Sequence, residues 1–341
     1  MNSILTDLPP DSFVRADDTD DTIFYAKDRM VDHLDSLALQ TIENLVGRLV
    51  VDDSPAILDL MASCDSHIPN SVKASRIVGL GLNERELASN TVLDEYVIHD
   101  VNKSPALPFE DETFDVVLNT VSVDYMTQPV SLFTEIGRIL KPGGLFLVMF
   151  SNRYFQAKVV KVWRHATGTQ RIQLVELFFD DSEQFEDPTV FVSRGKPRPE
   201  HDKYAPLGVS SDPVCAVHAE KKGVFGSTRP KISASYADRP FDLAEVEARK
   251  QHLQTTLQCP YCGDRLKKLE VPDTPFTEWP SDYLYVCLFD ECPYFLFGWD
   301  AMADQGSTGS YRLMYEPTIG NCYSIPVMNR EDLKDQVLQD A

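Results

Sequence analysis

An α/β fold on a mostly parallel sheet, followed by a small cysteine-bound module, is what this sequence predicts, and three features carry it. Short β-rich runs alternate with helical stretches within residues 51–222. One of those helices stops at Lys141-Pro142-Gly143-Gly144, where a basic residue, a proline and glycines end an apolar periodic run. Two close cysteine pairs, Cys259 with Cys262 and Cys287 with Cys292, follow with 24 residues between them.

Residues 1–22 are acidic, lack periodicity and contain Pro9-Pro10, so a mobile arm is expected. Over 23–50 the apolar positions Val31, Leu34, Leu37, Leu39, Ile42, Leu45, Val46 and Leu49 recur every three or four residues, predicting a helical cap of one or two amphipathic helices. The sheet domain spans 51–222, with candidate strands at Ala56–Leu60, Arg76–Leu80, Glu95–His99, Phe114–Asn119 and Leu145–Phe150. Helices are expected at Glu84–Ser89, Pro129–Leu140, Gln156–His165 and Arg171–Phe179, and antiparallel closing strands at Thr189–Ser193 and Val214–Ala219. Residues 223–240 have a linker's composition, and 241–341 form the cysteine module, with a helix over Phe241–Thr256 and a terminal one at Asn329–Leu338 capped by Asn329.

The chain has 341 residues, 32 Lys plus Arg against 53 Asp plus Glu, and a net charge of −21. Both halves share that sign, so nucleic acid and anionic membrane are disfavoured partners. No apolar run approaches the roughly 20 residues that span a bilayer. The first twenty residues carry five aspartates and one arginine, so a cleaved signal peptide is not expected. Seven cysteines in this length suit metal binding in a reducing cytoplasm better than a disulfide scaffold.

In a parallel sheet the informative place is the crevice at the carboxyl ends of the strands. The turns there read Asp59-Leu60-Met61-Ala62-Ser63-Cys64-Asp65-Ser66-His67, Gly79-Leu80-Gly81-Leu82-Asn83-Glu84, His99-Asp100-Val101-Asn102 and Asn119-Thr120-Val121-Ser122. The acidic run Glu110, Asp111, Glu112 and Asp115 precedes a strand and reads as a solvated edge rather than catalytic carboxylates.

With Ile57-Leu58-Asp59-Leu60-Met61-Ala62-Ser63, Ser66-His67-Ile68-Pro69, Val78-Gly79-Leu80-Gly81-Leu82-Asn83, Leu107-Pro108-Phe109, Phe114-Asp115-Val116-Val117, Leu140-Lys141-Pro142-Gly143-Gly144 and Phe150-Ser151-Asn152-Arg153 in this order, the chain resembles the class I S-adenosylmethionine-dependent methyltransferases over residues 23–222. The resemblance implies a Rossmann-like sheet and S-adenosylmethionine as cofactor. It places Asp59, Met61, Ala62 and Ser63 under the methionine part, Gly81, Leu82 and Asn83 at the ribose, Asp100 and Val101 at the adenine, and Asn119 and Thr120 beside the sulfonium. In the resembling proteins the N-terminal segment lies over the pocket, so Tyr25, Arg29 and His33, with Ser151, Asn152 and Arg153 after the fifth strand, are candidates for the acceptor wall. Two departures stand out: Met61, Ser63 and Asp65 replace the family's usual loop glycines, and Gly81 occupies the place of its ribose-binding acid, leaving Asn83 or Glu84 as substitutes.

Cys259-Pro260-Tyr261-Cys262-Gly263 is a knuckle in which two thiolates converge while Gly263 permits the turn. With Cys287 and Cys292 it resembles a zinc ribbon, implying structural tetrahedral Zn²⁺, with iron or a redox dithiol as alternatives. The expected function is methyl transfer to a small-molecule or protein acceptor. A non-catalytic cofactor-binding scaffold is the alternative, and an RNA methyltransferase is disfavoured by charge. The module could dock a protein partner or support a homodimer.

Overall fold

The computed structural model describes residues 5, 8–196, 198–207, 209–224, 229–230, 232, 241–271, 281–304 and 309–338. The chain divides into two compact units, one of residues 1–193 with 214–235 and one of 194–213 with 236–341.

The first unit runs α1 (Asp21–Phe24), α2 (Ser36–Leu49), β1 (Ala56–Leu60), β2 (Arg76–Gly81), α3 (Glu84–Ser89), β3 (Glu95–Ile98), β4 (Phe114–Thr120), α4 (Pro129–Ile139), β5 (Leu140–Phe150), α5 (Lys161–His165), α6 (Gly168–Ser182), β6 (Thr189–Ser193) and β7 (Val214–Glu220). The sheet order is β3-β2-β1-β4-β5-β7-β6. Strands β1 to β5 pair in parallel, and β7 pairs antiparallel with both β5 and β6.

Strand alternation splits the core between two faces of the sheet. Leu58, Leu60, Val78, Val117 and Phe146 pack on one face with Phe133 and Ile136 of α4 and Phe178 and Phe179 of α6. Ile57, Val116, Leu118, Leu145 and Leu147 pack on the other, with Ala38, Ile42, Leu45, Val46 and Leu49 of α2. Both faces are apolar because each is covered, which is why these strands read as near-continuous hydrophobic runs.

The second unit contains α7 (Leu243–Lys250), α8 (Leu253–Thr256), β8 (Lys267–Glu270), β9 (Tyr283–Val286), α9 (Pro293–Asp304), β10 (Ser310–Glu316) and β11 (Asn321–Val327). Its four strands form an antiparallel sheet in the order β11-β10-β9-β8. A core of Leu253, Phe295, Leu296, Trp299 and Leu313 surrounds Cys259, Cys287 and Cys292.

Several expectations need correction. Residues 8–20 are not a free arm: Arg15 bridges to Val160, the Asp17 amide donates to the Ala157 carbonyl, and Arg15 pairs with Asp21 at 2.7 Å. Repulsion among the aspartates is relieved by cations far along the chain, above all the fully buried Lys158, 3.3 Å from Asp17 and 3.2 Å from Asp21. The helical cap begins only at Ser36, where Asp35 accepts hydrogen bonds from the Leu37 and Ala38 amides, while Val31 stays exposed. Only the second half of the expected helix Gln156–His165 is helical, over Lys161–His165.

Residues 194–213 belong with the second unit, where Arg198 pairs with Asp212 at 2.6 Å and Val209 packs beside the cysteines. The reading of 223–240 as linker falls largely outside the described residues. Within it, Arg229 donates to the Leu49 carbonyl and pairs with Asp52, and Ile232 packs with α2, so these two residues are tied to the first unit. The terminal helix over Asn329–Leu338 reduces to one 3₁₀ turn at Lys334–Gln336. Asn329 does accept from the Glu331 and Asp332 amides, but Leu333, just before the 3₁₀ turn, adopts a left-handed φ of +74° that interrupts a continuous helix, and Lys334 is drawn to Asp290 at 2.7 Å.

Candidate functional site

A cavity of about 340 Å³ opens where β1 to β4 end, bounded by the four strand-end turns and by residues of the N-terminal segment. Asp59, Met61, Ala62, Ser63, Gly81, Leu82, Asn83, Asp100, Val101 and Thr120 all line it. So do Tyr25, Arg29, His33 and Arg153. Asn119 does not: it is fully buried, its amide donating to the Leu60 carbonyl at 3.1 Å and the Ser122 hydroxyl at 2.8 Å. Ser151 and Asn152 also lie outside the lining, because the chain leaving β5 turns only Arg153, Tyr154 and Phe155 toward it.

The first turn closes tightly without glycines. Met61 takes a left-handed φ of +61°, His67 one of +51° and Val121 one of +52°. Side-chain-bearing residues rarely adopt this region, and a β-branched one least of all. Three such residues around one cavity are backbone strain held where function is expected. The Ala62 amide donates to the Leu80 carbonyl at 2.8 Å, pulling the loop onto the end of β2. A Cβ at Gly81 would lie 2.4 Å from the Ala62 carbonyl oxygen, so the space an acidic side chain would need is filled by the loop backbone.

Asp59 is buried, and that burial pushes its carboxyl up to about 7, only partly offset by a hydrogen bond with Ser66. Between its ordinary value and about 7 the native state holds a proton that the unfolded chain has released, so stability is present below that window and lost as pH rises through it. Asp59→Asn should therefore flatten the decline between pH 4 and 8, gaining at most about 4 kcal/mol over wild type at pH 8 and nothing at pH 4. Denaturant unfolding at both pH values measures this, and equal slopes for the two proteins would refute a buried proton at Asp59.

The remaining polar groups are largely committed. Asn83 caps α3 through its oxygen, while its amide donates to the Tyr25 carbonyl and Asp28, each at 3.0 Å, so it is no free substitute for the missing acid. Glu84 is exposed and off the cavity. Asp100 Oδ1 accepts from the Asn102 and Lys103 amides, which fixes the third turn. His99 Nε2 meets the Ser104 carbonyl at 2.9 Å, and His67 Nδ1 lies 3.4 Å from Asp65. On the opposite wall the Arg29 guanidinium sits 4.5 Å from the Phe24 ring and 5.1 Å from that of Phe155, and burial pushes His33 down, favouring its neutral form.

Sequence reasoning missed Asp21, Glu86, Tyr125 and Phe155, which also line the cavity. Glu86 stands three residues after the Asn83 cap, where an acidic residue has an ordinary role in helix starts, so nothing local marked it. Tyr125 and Phe155 stack with centroids 5.9 Å apart, a meeting of two loops that no sequence spacing encodes.

Residues 66–148 match the Methyltransf_11 family, described as a methyltransferase domain. The sheet order and the antiparallel β7 agree with that match. Residues 66–148 therefore match a methyltransferase domain within a Rossmann-like sheet. The chain is similar to a malonyl-[acyl-carrier protein] O-methyltransferase of a Marinomonas species, 24% identical over 133 residues, 36% of this chain and 47% of that protein. It is likewise 24% identical over 146 residues to the ubiquinone/menaquinone biosynthesis C-methyltransferase UbiE of Hydrogenovibrio crunogenus, 41% of this chain and 56% of that one. The chain spans from a tenth to just over half the length of the curated relatives it matches. Among solved structures it is similar to phosphoethanolamine N-methyltransferase 2 of Haemonchus contortus in complex with S-adenosyl-L-methionine, at 15% identity and a TM-score of 0.38, covering 54% of this chain and 53% of that one. The family match begins at residue 66, near the end of the glycine-poor first turn. No helix among the described residues is long and apolar enough to cross a membrane.

In the second unit the sulfurs of Cys259, Cys262, Cys287 and Cys292 lie within 4.8 Å of one another. Cys259 and Cys292 are 3.9 Å apart, Cys262 and Cys287 3.7 Å. A tetrahedron with metal–sulfur bonds of about 2.3 Å separates its sulfurs by about 3.8 Å, whereas a disulfide needs about 2.05 Å. The donor set therefore fits a closed four-thiolate site. Gly263, at φ +79°, makes the first knuckle possible. The second is braced by fully buried Arg312, whose guanidinium donates to the Cys287 carbonyl at 3.3 Å and to Asp290 at 2.7 Å.

Proposed function

We propose that this protein binds S-adenosylmethionine in the strand-end cavity and transfers its methyl group to a small-molecule or protein acceptor. The reading is supported by one observation above all: the turns after four consecutive sheet strands and the N-terminal segment converge on one cavity. A buried polar atom supports the fit, since Thr120 Oγ1 has no hydrogen-bond partner among the described residues and lies in a residue lining the cavity.

When bound, the cofactor supplies an activated methyl on a sulfonium, so the protein's share is to align the acceptor and exclude water. Met61, Ala62 and Ser63 would hold the amino-acid end, with Asp59 as a hydrogen-bond donor while protonated. Gly81, Leu82 and Asn83 would face the ribose. Asp100 would accept from the adenine amine while Val101 packs on the ring. Tyr25, Arg29, His33 and Arg153 would wall the acceptor side. Burial pushes the Tyr25 hydroxyl up, so it serves as a neutral donor rather than a base. An acceptor that arrives as a thiolate, amine or carboxylate needs no base from the chain.

In the second unit, Cys259, Cys262, Cys287 and Cys292 would hold structural zinc in a reducing cytoplasm. The net charge of −21 disfavours nucleic acid as acceptor or partner. A second reading, a cofactor-binding scaffold without turnover, is favoured by the strained Met61 turn and the full commitment of Asn83.

Calorimetric titration with S-adenosylmethionine and S-adenosylhomocysteine tests the first reading. Micromolar binding is expected, weakened about 10- to 100-fold by Asp100→Ala through loss of a charge-assisted hydrogen bond. A folded protein that binds neither compound would overturn it, and binding without transfer to any acceptor would favour the scaffold.

A further inference from the structure

We infer that Glu86 is a positioning residue for the cofactor: its carboxylate clamps the first turn to the N-terminal segment, so that the two close on the amino-acid end of the cavity as one piece. This rests on the cofactor reading above and adds a residue that the family resemblance does not supply.

Glu86 lies in the first turn of α3 and lines the cavity, yet is only 7% exposed. A carboxylate so buried is stable only if its oxygens are satisfied. Both are. Ser63 Oγ donates to Oε2 at 2.6 Å, and the Arg29 amide donates to Oε1 at 2.6 Å. These partners lie 23 and 57 residues away, on two different walls. Helix capping does not require this, because the Asn83 side chain already serves the α3 amides.

Neighbouring bonds converge on the same seam. Asn90 donates to the Ser63 carbonyl at 3.0 Å, so Ser63 is held at its hydroxyl by Glu86 and at its backbone by Asn90. Asn83 donates to the Tyr25 carbonyl, and the Cys64 thiol faces the Arg29 carbonyl at 3.8 Å. A turn without glycines is thereby locked in one conformation by side chains, and the lock is shared with Tyr25 and Arg29 of the acceptor wall. Charge-assisted bonds of this kind are roughly twice as strong as neutral ones.

The test separates the two ends of the ligand by comparing S-adenosylhomocysteine with 5′-methylthioadenosine, which keeps the nucleoside and sulfur but lacks the amino and carboxyl groups. Glu86→Ala is expected to weaken S-adenosylhomocysteine about 10- to 100-fold and 5′-methylthioadenosine by less than about threefold. Glu86→Gln should stay within about fivefold of wild type for both, because its oxygen can accept from Arg29 while its amide donates to Ser63 Oγ. Ser63→Ala, which removes one bond from the other end, should follow the Glu86→Ala pattern and serves where that variant does not fold.

Equal losses of both ligands in folded Glu86→Ala or Ser63→Ala would overturn the assignment in favour of direct nucleoside contact. Unchanged S-adenosylhomocysteine affinity would overturn it outright. If wild-type protein binds neither ligand, the cofactor reading itself fails and the clamp has nothing to position.

Discussion

Cys259→Ser is expected to release the metal and melt the second unit, while S-adenosylhomocysteine binding by the first is largely retained. Three of the four cysteines are buried, and Cys259, Cys287 and Cys292 are themselves part of the core formed by Leu253, Phe295 and Leu313. That core is small, so a bound metal would supply much of its stability; structural zinc in small fingers contributes about 10–16 kcal/mol of apparent binding free energy. A serine hydroxyl is not a thiolate, so the site keeps three soft ligands and loses its closed tetrahedron. Bound zinc measured by elemental analysis should fall well below stoichiometric, with a separate, lower unfolding transition for the second unit. The first unit keeps its own core on both faces of its sheet, so its ligand titration should be little changed. Undiminished zinc in the variant would refute the ligand assignment.

Gly81→Asp, which puts the family's acid back at its aligned position, should lose cofactor affinity rather than gain it. Its Cβ would meet the Ala62 carbonyl oxygen at 2.4 Å and Leu87 Cδ1 at 3.4 Å. The leucine could move, but the carbonyl belongs to a backbone tied to β2 by the Ala62–Leu80 hydrogen bond. Relieving the clash means lifting the first turn, which is overpacking against backbone and costs about 1–3 kcal/mol. The new carboxylate would also enter the cavity that Asp59 lines, where burial already disfavours an anion at Asp59. A fall in thermal stability and at least a tenfold weaker S-adenosylhomocysteine titration are the expected results. Tighter binding would mean that the turn yields and that the acid's absence, not the loop, limits affinity.

Both expectations combine something visible along the chain with something visible only in space. The cysteine pairs could be read from spacing, because a knuckle is a local structure: two thiols and a glycine within five residues. The bracing of Cys287 by Arg312, 25 residues away on β10, could not. Likewise the glycine-poor first turn was evident as a departure from the family, but not how it is accommodated. The left-handed turn at Met61 is followed by Ala62 and Ser63, which are held by bonds to Leu80, Glu86 and Asn90, none of them adjacent in sequence.

The acidic N-terminal residues show the same limit. Composition alone made them an arm, since like charges close in sequence repel. Folding brings Lys158, wholly buried, within 3.3 Å of both Asp17 and Asp21, and that pairing turns a repulsive stretch into a docked one that carries Asp21 into the cavity wall. Asn119 shows the limit from the other side. It sits near the end of β4 as expected, but its amide is taken up by the Leu60 carbonyl and the Ser122 hydroxyl, and Thr120 lines the cavity in its place.

By itself the sequence determined the α/β class, the extents of β1 to β4 to within a residue and the four thiols, because apolar periodicity, turn chemistry and short-range spacing act over a few residues; β5, by contrast, starts five residues earlier than expected, at Leu140. The tertiary structure alone decided which strand-end residues line the cavity, which acids are satisfied, and that residues 194–213 belong with the second unit. Those outcomes depend on hydrogen bonds and ion pairs between groups 20 to 150 residues apart, such as Ser63 with Glu86 and Asp17 with Lys158, whose partners exist only once the sheet has brought them together.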